Sequence, residues 1–167
     1  MTLEDLLVHR EGVFRVCLGF SRDYAEAEDL AQEVYLRAFR GLAGLKNPAT
    51  ARDWLFRIAR NACLDHIKTA RKRRKLLVRF APRADAADAL EARQTLDPRL
   101  ALVKAAVRGL PPRLGEVFVL REYARLPYDE IGRTLGLRPG TVMSRLNRAR
   151  AAVARTLQES PHEKRER

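Results

Sequence analysis

The sequence predicts an all-α protein made of two small helical domains joined by a flexible linker. Apolar residues recur at helical spacing along most of the 167 residues, and no stretch alternates apolar and polar residues as a strand would. Glycine and proline stand mainly between the apolar segments and are scarce within them. The formal charge of +12 is concentrated in two basic blocks that an acidic stretch separates, which favours two domains over one.

The first domain is predicted to span residues 1–75 and to contain three helices. The first is expected from about Leu3 to Phe20, on an apolar set of Leu3, Leu6, Leu7, Phe14, Cys17 and Leu18. The second begins near Asp23 and ends near Gly41, on an apolar set of Leu30, Ala31, Val34, Ala38 and Phe39. Asp23 followed by Glu26 forms a variant capping box, in which side chains satisfy free backbone N–H groups of the first turn.

The third helix of this domain is predicted from about Thr50 to Lys75. Asn47 and Pro48 form the turn before it, and Thr50 and Asp53 are candidate caps. Residues 76–97 lose helical periodicity and become acidic and alanine-rich, so they are assigned to the linker. The second domain, 98–159, is expected to contain helices near 98–109, 113–124, 128–135 and 139–157, followed by a disordered tail at 160–167.

The distribution of charge indicates a polyanionic partner. Residues 51–83 hold 11 Lys and Arg against 2 Asp and Glu, and residues 101–167 hold 14 against 7. No apolar run has the roughly 18 residues that a membrane span requires, so no membrane insertion is expected. The N-terminus begins acidic and lacks the basic flank of a signal peptide, which favours a cytoplasmic protein.

Neither a metal site, a cofactor nor a catalytic site is expected. The two cysteines, Cys17 and Cys63, lie in separate predicted helices, and the three histidines are scattered, so no metal-ligand spacing exists. Both cysteines are interpreted as buried free thiols. Asp65 and His66 are adjacent and therefore point about 100° apart on a helix. We therefore expect a protein that is not an enzyme.

The third helix separates an apolar face from a cationic one. On a helical wheel, Lys68 and Lys75 fall close to Arg57, with Arg60 and Arg71 to one side and Asn61 and Trp54 to the other. The opposite face holds the predicted buried residues Leu55, Ile58, Ala59, Ala62 and His66, of which His66 is a core or boundary residue. Cations neutralise phosphates, an amide hydrogen-bonds base edges and an indole stacks on an unpaired base. This helix is a candidate nucleic-acid surface.

A helix-turn-helix pattern occupies residues 128–146 of the second domain. Ile131 and Leu135 point inward, Gly132 lies where the helices cross, and Gly136 stands where the chain requires positive φ. Leu137 fills the corner, Pro139 begins the second helix, and Val142 and Leu146 pack it against the first. The second helix is predicted to enter the major groove of DNA, with Met143, Ser144, Asn147 and Arg148 facing outward and Arg145 and Arg150 beside them.

Four segments in this order resemble the extracytoplasmic-function (ECF, group 4) sigma factors of the sigma-70 family. Residues 27–39 are similar to region 2.2 of the family and residues 54–66 to regions 2.3 and 2.4. Residues 110–121 and the helix-turn-helix ending at Arg150 are both similar to region 4. The resemblance implies a subunit that directs bacterial RNA polymerase to promoters. Residues 1–75 would bind core polymerase and melt the −10 element, and residues 98–159 would read the −35 element.

The resemblance also implies roles for individual residues. Those matching the face that docks on the β′ clamp helices of core polymerase are Asp29, Gln32, Glu33, Arg37 and Arg40. Those matching the −10 DNA surface and its base-capturing loop are Lys46, Asn47, Trp54, Arg57, Arg60, Asn61, Lys68 and Arg71. Those matching the −35 surface are Arg138, Thr141, Met143, Ser144, Arg145, Asn147 and Arg148.

Two −35 positions depart from the family, in which Lys or Arg is usual at Met143 and His or an aromatic residue at Asn147. One cation fewer removes a phosphate or guanine contact, or exchanges it for an apolar contact with a thymine methyl. The family resemblance further implies promoter DNA, the β flap of polymerase and a cognate anti-sigma factor as partners.

Two other functions remain open at this point. A helix-turn-helix regulator that acts without polymerase explains the second domain and the charge, but not residues 27–39 or the Trp54 helix. A sigma mimic that sequesters an anti-sigma factor would be expected to lose the DNA-facing cations, which this chain keeps at Arg57, Arg60, Lys68, Arg71, Arg145 and Arg148.

Overall fold

A computed structural model of the chain describes residues 3–21, 23–80 and 98–159. Within these ranges there are helices and turns and no strand, which confirms the all-α fold class. The helices are α1 (Leu3–Leu7), α2 (Arg10–Phe20), α3 (Tyr24–Gly41), α4 (Ala51–Phe80), α5 (Pro98–Arg108), α6 (Pro112–Phe118), α7 (Tyr128–Leu135) and α8 (Pro139–Glu159). A π-helical turn, Val119–Tyr123, continues α6, and two 3-10 turns, Leu42–Gly44 and Pro48–Thr50, connect α3 to α4.

The prediction of a single helix from Leu3 to Phe20 is wrong, because α1 and α2 are separate helices. The backbone leaves helical geometry at His9, where φ is −96° and ψ is 6°. The turn lets Leu6 enter the core, where it is 1% exposed, and sets the His9 ring beside that of Phe56 at 6.4 Å between centroids. Leu7, which was assigned to the apolar set, is 42% exposed.

The start of α3 agrees with its prediction. The Asp23 carboxylate accepts a 2.8 Å hydrogen bond from the Glu26 backbone N–H, so Asp23 caps the helix. Ala27, Leu30, Val34 and Ala38 form its buried stripe. The prediction that Phe39 belongs to this stripe is wrong, because its side chain is 63% exposed at the far end of the helix.

Asn47 caps the 3-10 turn Pro48–Thr50, which leads directly into α4. The Asn47 side chain accepts from the Ala49 backbone N–H, and the Thr50 hydroxyl donates back to the Asn47 carbonyl. Asp53 pairs with Arg133 of the second domain. Because α4 continues to Phe80, the first five residues of the predicted linker are helical. Residues 81–97 of that linker and the predicted tail at 160–167 lie outside the described residues.

The four predicted helices of the second domain are confirmed as α5, α6 with its π-helical turn, α7 and α8. Their core is aliphatic, with the largest fully buried side chains at Leu120, Leu126, Ile131 and Leu146. This core holds α7 and α8 in a fixed relation, which the candidate DNA surface requires.

Among the described residues, the two domains pack against each other mainly along two seams, with a further contact between Arg60 of α4 and Glu116 of α6. At the first seam α2 meets the π-helical turn, where Gly19 is essential because a Cβ there would lie 2.6 Å from a methyl carbon of Val119 and 3.1 Å from the Tyr123 ring. At the second seam α4 meets α7. The contact brings one face of α4, which also carries predicted DNA-binding residues, against the second domain.

Candidate nucleic-acid interface

The buried face of α4 agrees with the wheel prediction. Leu55, Ala59 and Ala62 are at most 2% exposed, and Ile58 packs at the edge of the core. His66 lies at the boundary, with Nε2 2.7 Å from a carboxylate oxygen of Glu26. The helix therefore has one fixed apolar side, so its opposite side is presented outward.

Most predicted cations of that outward side are exposed. Arg57, Lys68 and Arg71 face solvent, and Asn61 is exposed beside them. Arg60 differs, since its Nη2 lies 2.8 Å from a carboxylate oxygen of Glu116 in α6. Its Nη1 donates a 2.9 Å hydrogen bond to the Asn61 side-chain oxygen. The structure therefore brings these residues together on one helix, with Arg60 engaged by the second domain.

The indole of Trp54 is half-buried and packs against the end of α3. A Cβ at Gly41 would lie 3.0 Å from the Trp54 ring, so the small residue makes room for the indole. Lys46 and Asn47, in the loop before α4, are exposed. The loop and the indole edge therefore lie at the N-terminal end of the cationic side of α4.

The outward face of α3 holds the residues matched to polymerase docking. Asp29, Gln32 and Arg40 are exposed. Arg37 instead bridges helices, with Nε 2.7 Å from Glu33 and Nη1 3.1 Å from Asp65 of α4. These hydrogen bonds, that to Glu33 most of all, raise the pKa of the Arg37 guanidinium. Arg37 braces α3 against α4 as well as facing outward.

Two apolar residues on this face were missed by the sequence reasoning. Leu36 is 51% exposed and Phe39 is 63% exposed. A sequence signal for Leu36 existed, because it lies four residues after Gln32 and four before Arg40, on the polar side of the helix. Large apolar side chains exposed among charged ones are typical of protein-binding surfaces.

The helix-turn-helix has the predicted geometry. Gly136 adopts φ +65°, and a Cβ at Gly132 would lie 2.8 Å from the Leu137 carbonyl oxygen, so both glycines are required. Val142 and Leu146 are fully buried against α7. Leu135 is only half-buried, because it faces the cleft between the domains as well as the core.

The first turns of α8 present the predicted reading residues. Met143 is 50% exposed, and Ser144, Asn147 and Arg148 are exposed. The Arg148 guanidinium donates to the Ser144 backbone carbonyl, and the Ser144 hydroxyl donates to the Thr141 backbone carbonyl. Thr141 itself is half-buried. Arg138 is exposed at the turn before α8. These residues form one outward surface, whereas Arg150 pairs with Glu122 and braces the domain.

Arg145 lies apart from that surface, in a cleft of about 890 Å³ between the two domains. The cleft also receives Arg60, Lys68 and Arg71 from α4, and Arg108 and Arg113 from the second domain. Its carboxylates are Glu26 and Glu116. Cations from both candidate DNA surfaces therefore face the same space.

The cysteines are buried free thiols, as predicted. Their sulfur atoms lie 3.9 Å apart. The hydrogen bond to Cys17 and burial raise the pKa of the Cys63 thiol, so it is a poor nucleophile. In the described part of the chain, no three potential metal ligands come together and no helix is long and apolar enough to cross a membrane.

Two family models match the chain, Sigma-70 region 2 at residues 7–74 and Sigma-70 region 4 at residues 100–153. The RNA polymerase sigma-H factor of Pseudomonas aeruginosa is 32% identical over 166 residues, covering 92% of this chain and 86% of that protein. The ECF RNA polymerase sigma factor SigE of Mycolicibacterium smegmatis is 38% identical over 144 residues, covering 85% of this chain. The match spans only 56% of the SigE protein.

A solved structure has the same overall fold. The structure of CnrH in complex with the cytosolic domain of CnrY matches with a TM-score of 0.65 and 25% identity, covering 95% of this chain and 89% of that one. The likeness extends over both helical domains and is not confined to the helix-turn-helix.

Proposed function

The chain belongs to the extracytoplasmic-function sigma factors of the sigma-70 family, and we propose that it binds bacterial core RNA polymerase and directs it to promoters with −10 and −35 elements. The observation that carries the proposal is the pairing of two family matches, in order, with an exposed cationic surface in each domain. The proposal assigns the chain no catalytic chemistry of its own, and its site of action is the cytoplasm, where polymerase works.

The −10 surface is proposed to be the outward side of α4 with the preceding loop. The exposure of Arg57, Lys68 and Arg71 along one side supports a track of phosphate contacts. The exposed Asn61 amide, whose oxygen accepts from Arg60, offers its N–H donors to a base edge. Lys46 and Asn47 stand in the loop proposed to capture a flipped base. Extruding a base costs a few kcal/mol, which the phosphate contacts and a pocket must offset.

The polymerase-docking surface is proposed to be the outward side of α3. Asp29, Gln32, Glu33, Arg37 and Arg40 supply charge complementarity, which sets orientation and association rate more than affinity. The exposed side chains of Leu36 and Phe39 supply the apolar area that such a surface needs for affinity. The β′ clamp helices are the proposed partner.

The −35 surface is proposed to be the N-terminal half of α8, inserted in the major groove. Arg148 and Asn147 are the residues able to form bidentate hydrogen bonds with guanine and adenine. Met143 offers an apolar contact to a thymine methyl, where the family usually places a cation. Arg138 and Thr141 lie at the start of the helix, where backbone N–H groups favour phosphate.

An anti-sigma factor is proposed as the regulatory partner. The CnrH structure contains a second protein, the cytosolic domain of CnrY, bound to a chain of this fold. In the present chain the cleft between the domains offers cationic and apolar side chains to such a partner.

Run-off transcription tests the proposal. Core polymerase is combined with the purified chain on a pooled library of promoter fragments, with and without the chain. We expect discrete new transcripts, whose upstream sequences align in two elements. The negative control is the double variant Asp29→Arg with Gln32→Ala. It alters the proposed docking surface on α3 but not α4 or α8, and is expected to abolish the transcripts. DNA binding with neither transcripts nor core binding would instead indicate a regulator that acts without polymerase.

A further inference from the structure

Within the described residues, three arginine–carboxylate pairs join the two domains. Arg60 of α4 meets Glu116 of α6, with Nη2 2.8 Å from Oε2 and Nε 3.2 Å from the same oxygen. Arg52 of α4 meets Glu130 of α7 at 2.7 Å, and Arg133 of α7 meets Asp53 of α4 at 2.7 Å. The second and third pairs run in opposite directions across the same seam, one arginine coming from each domain.

The burial of these pairs distinguishes them from ordinary surface ion pairs. The carboxylate side chains of Glu116, Glu130 and Asp53 are only 10%, 13% and 13% exposed. A carboxylate removed from water requires a charged hydrogen-bond partner, and for each of the three that partner is an arginine of the other domain. Burial also raises the pKa of Glu130. The domain contact therefore includes these arginine–carboxylate pairs as well as apolar packing at Gly19 and Val119.

A chain that reads both promoter elements, as proposed, cannot do so in the packed arrangement. By their numbering, the −10 and −35 elements lie about 25 base pairs apart, which at about 3.4 Å per base pair is roughly 80 Å of duplex. A compact chain of this length has a radius of gyration of about 15 Å and thus a diameter of about 40 Å. The domains must separate before both elements are bound.

The pair at Glu116 also occupies a residue of the proposed −10 surface. The Glu116 carboxylate takes the place that a DNA phosphate would have on Arg60, with two N–H donors directed at one oxygen. Opening of the domains and phosphate binding at Arg60 are therefore linked, because each removes the partner of the other.

We propose that these three pairs, centred on Arg60 and Glu116, form an ionic latch that holds the free chain closed and withholds Arg60 from DNA. The withholding of Arg60 and the opening by polymerase or DNA rest on the proposed function, whereas the closing of the chain by the three pairs does not. Salt opens the latch by screening its more exposed pairs, and core polymerase or DNA opens it by binding the separated domains.

Distances between the domains in the full-length chain test the latch directly. Spin labels are placed at two exposed positions through Glu28→Cys in α3 and Ala154→Cys in α8. The native Cys17 and Cys63 are buried and are not labelled. Double electron–electron resonance then measures the distance between the two labels and reports the closed and open populations. We expect one short distance for the parent at low salt and a longer population in 1 M NaCl.

The decisive variant is Glu116→Gln, which keeps the side-chain shape and removes the charge. We expect the ratio of closed to open chain to fall about tenfold or more. The control is Glu122→Gln, which makes the same charge change at the Arg150 pair within the second domain and is expected to leave the distances unchanged. Equal distances for parent, Glu116→Gln and high salt would overturn the latch.

A second variant pair removes dependence on the folding of Glu116→Gln. Asp53→Asn and Arg133→Gln are each expected to lower the closed-to-open ratio roughly two- to fivefold, and the double variant by no more than the larger single effect. If the effects of the two single variants on the closed-to-open ratio added up in the double variant, the Asp53–Arg133 ion pair would not be what holds the domains together.

Binding of a fluorescent 20-nucleotide single-stranded DNA separates the latch from the DNA role. We expect Glu116→Gln to bind several-fold tighter than Glu122→Gln, which has the same net charge. Opening without tighter binding would overturn the withholding of Arg60 while leaving the latch. Absence of run-off transcription with the parent chain would refute the proposed function but would leave the measured distances between the domains, and hence the latch, unaffected.

Discussion

The two candidate DNA helices, α4 and α8, are built on the same plan but stand in different states. Each buries an apolar stripe and turns cations outward. On α8, Asn147 and Arg148 are exposed, whereas on α4 Arg60 is held by a carboxylate of the other domain. The comparison shows that the composition of a helix does not by itself decide which outward cations are exposed, because the contact between domains engages Arg60.

The largest expected effect on this comparison comes from destabilising the packing of α8. Leu146→Asp places a charge where the native side chain is fully buried, so the second domain is expected to lose about 4 kcal/mol or more of unfolding free energy. Circular-dichroism melts measure the loss. Asn147→Asp, one residue away and exposed, is the control. A melt of Leu146→Asp that matches the control would show that α8 does not pack as described.

A smaller effect distinguishes base reading from phosphate contact on α8. Arg148→Ala is expected to cost about 1–3 kcal/mol of binding to the preferred −35 sequence and to relax the preference at one base pair. Competition binding with single-base variants of the duplex measures both quantities. An equal loss on every sequence would make Arg148 a phosphate contact.

On α4 the corresponding change is expected to behave differently. Arg57→Ala should weaken binding about uniformly across sequences and lower the salt-dependence slope by about one, as for a single phosphate contact. A salt titration with single-stranded DNA measures the slope. Glu28→Gln, on the exposed side of α3, raises the net charge by one without approaching α4 and serves as the charge control. A sequence-dependent loss at Arg57→Ala would contradict a phosphate role.

The smallest expected effect lies in the turn before α7. Arg125 has φ +57°, and it is the only non-glycine residue with positive φ in the ranges that the structure describes. Arg125→Gly removes the strain and should stabilise the second domain by up to about 1 kcal/mol. Thermal unfolding monitors the gain, with Arg155→Gly in the exposed part of α8 expected to destabilise. A loss of stability at Arg125→Gly would show that the guanidinium has a structural role.

Local chemistry explains which parts of the fold the sequence predicted. The glycines at 132 and 136, the Asp23 cap and the apolar stripe of α8 each act within a few residues, and all four predictions are confirmed. The break at His9 escaped prediction because it depends on Leu6 reaching the core. The pairing of Asp53, a predicted cap residue, with Arg133 escaped prediction because the two lie 80 residues apart.

The same reasoning applies to the site. Helical periodicity predicted which side of α4 is outward, since that depends only on spacing. Periodicity did not reveal that Arg60 and Arg145 share a cleft, because their separation in sequence carries no information on domain packing. Phe39 was missed because an exposed apolar residue resembles a core residue in sequence alone, whereas the position of Leu36 among polar residues at helical spacing was a signal that went unused.

Site-specific crosslinking in the initiation complex tests the central claim most directly. Asn61→Cys on α4 and Asn147→Cys on α8, each carrying a photoactivatable group, are assembled with core polymerase on promoter DNA, where the buried native thiols remain unmodified. The account predicts crosslinks from position 61 to the −10 element and from position 147 to the −35 element, about 25 base pairs apart. Crosslinks from both positions to one short segment of DNA, or from neither, would contradict it.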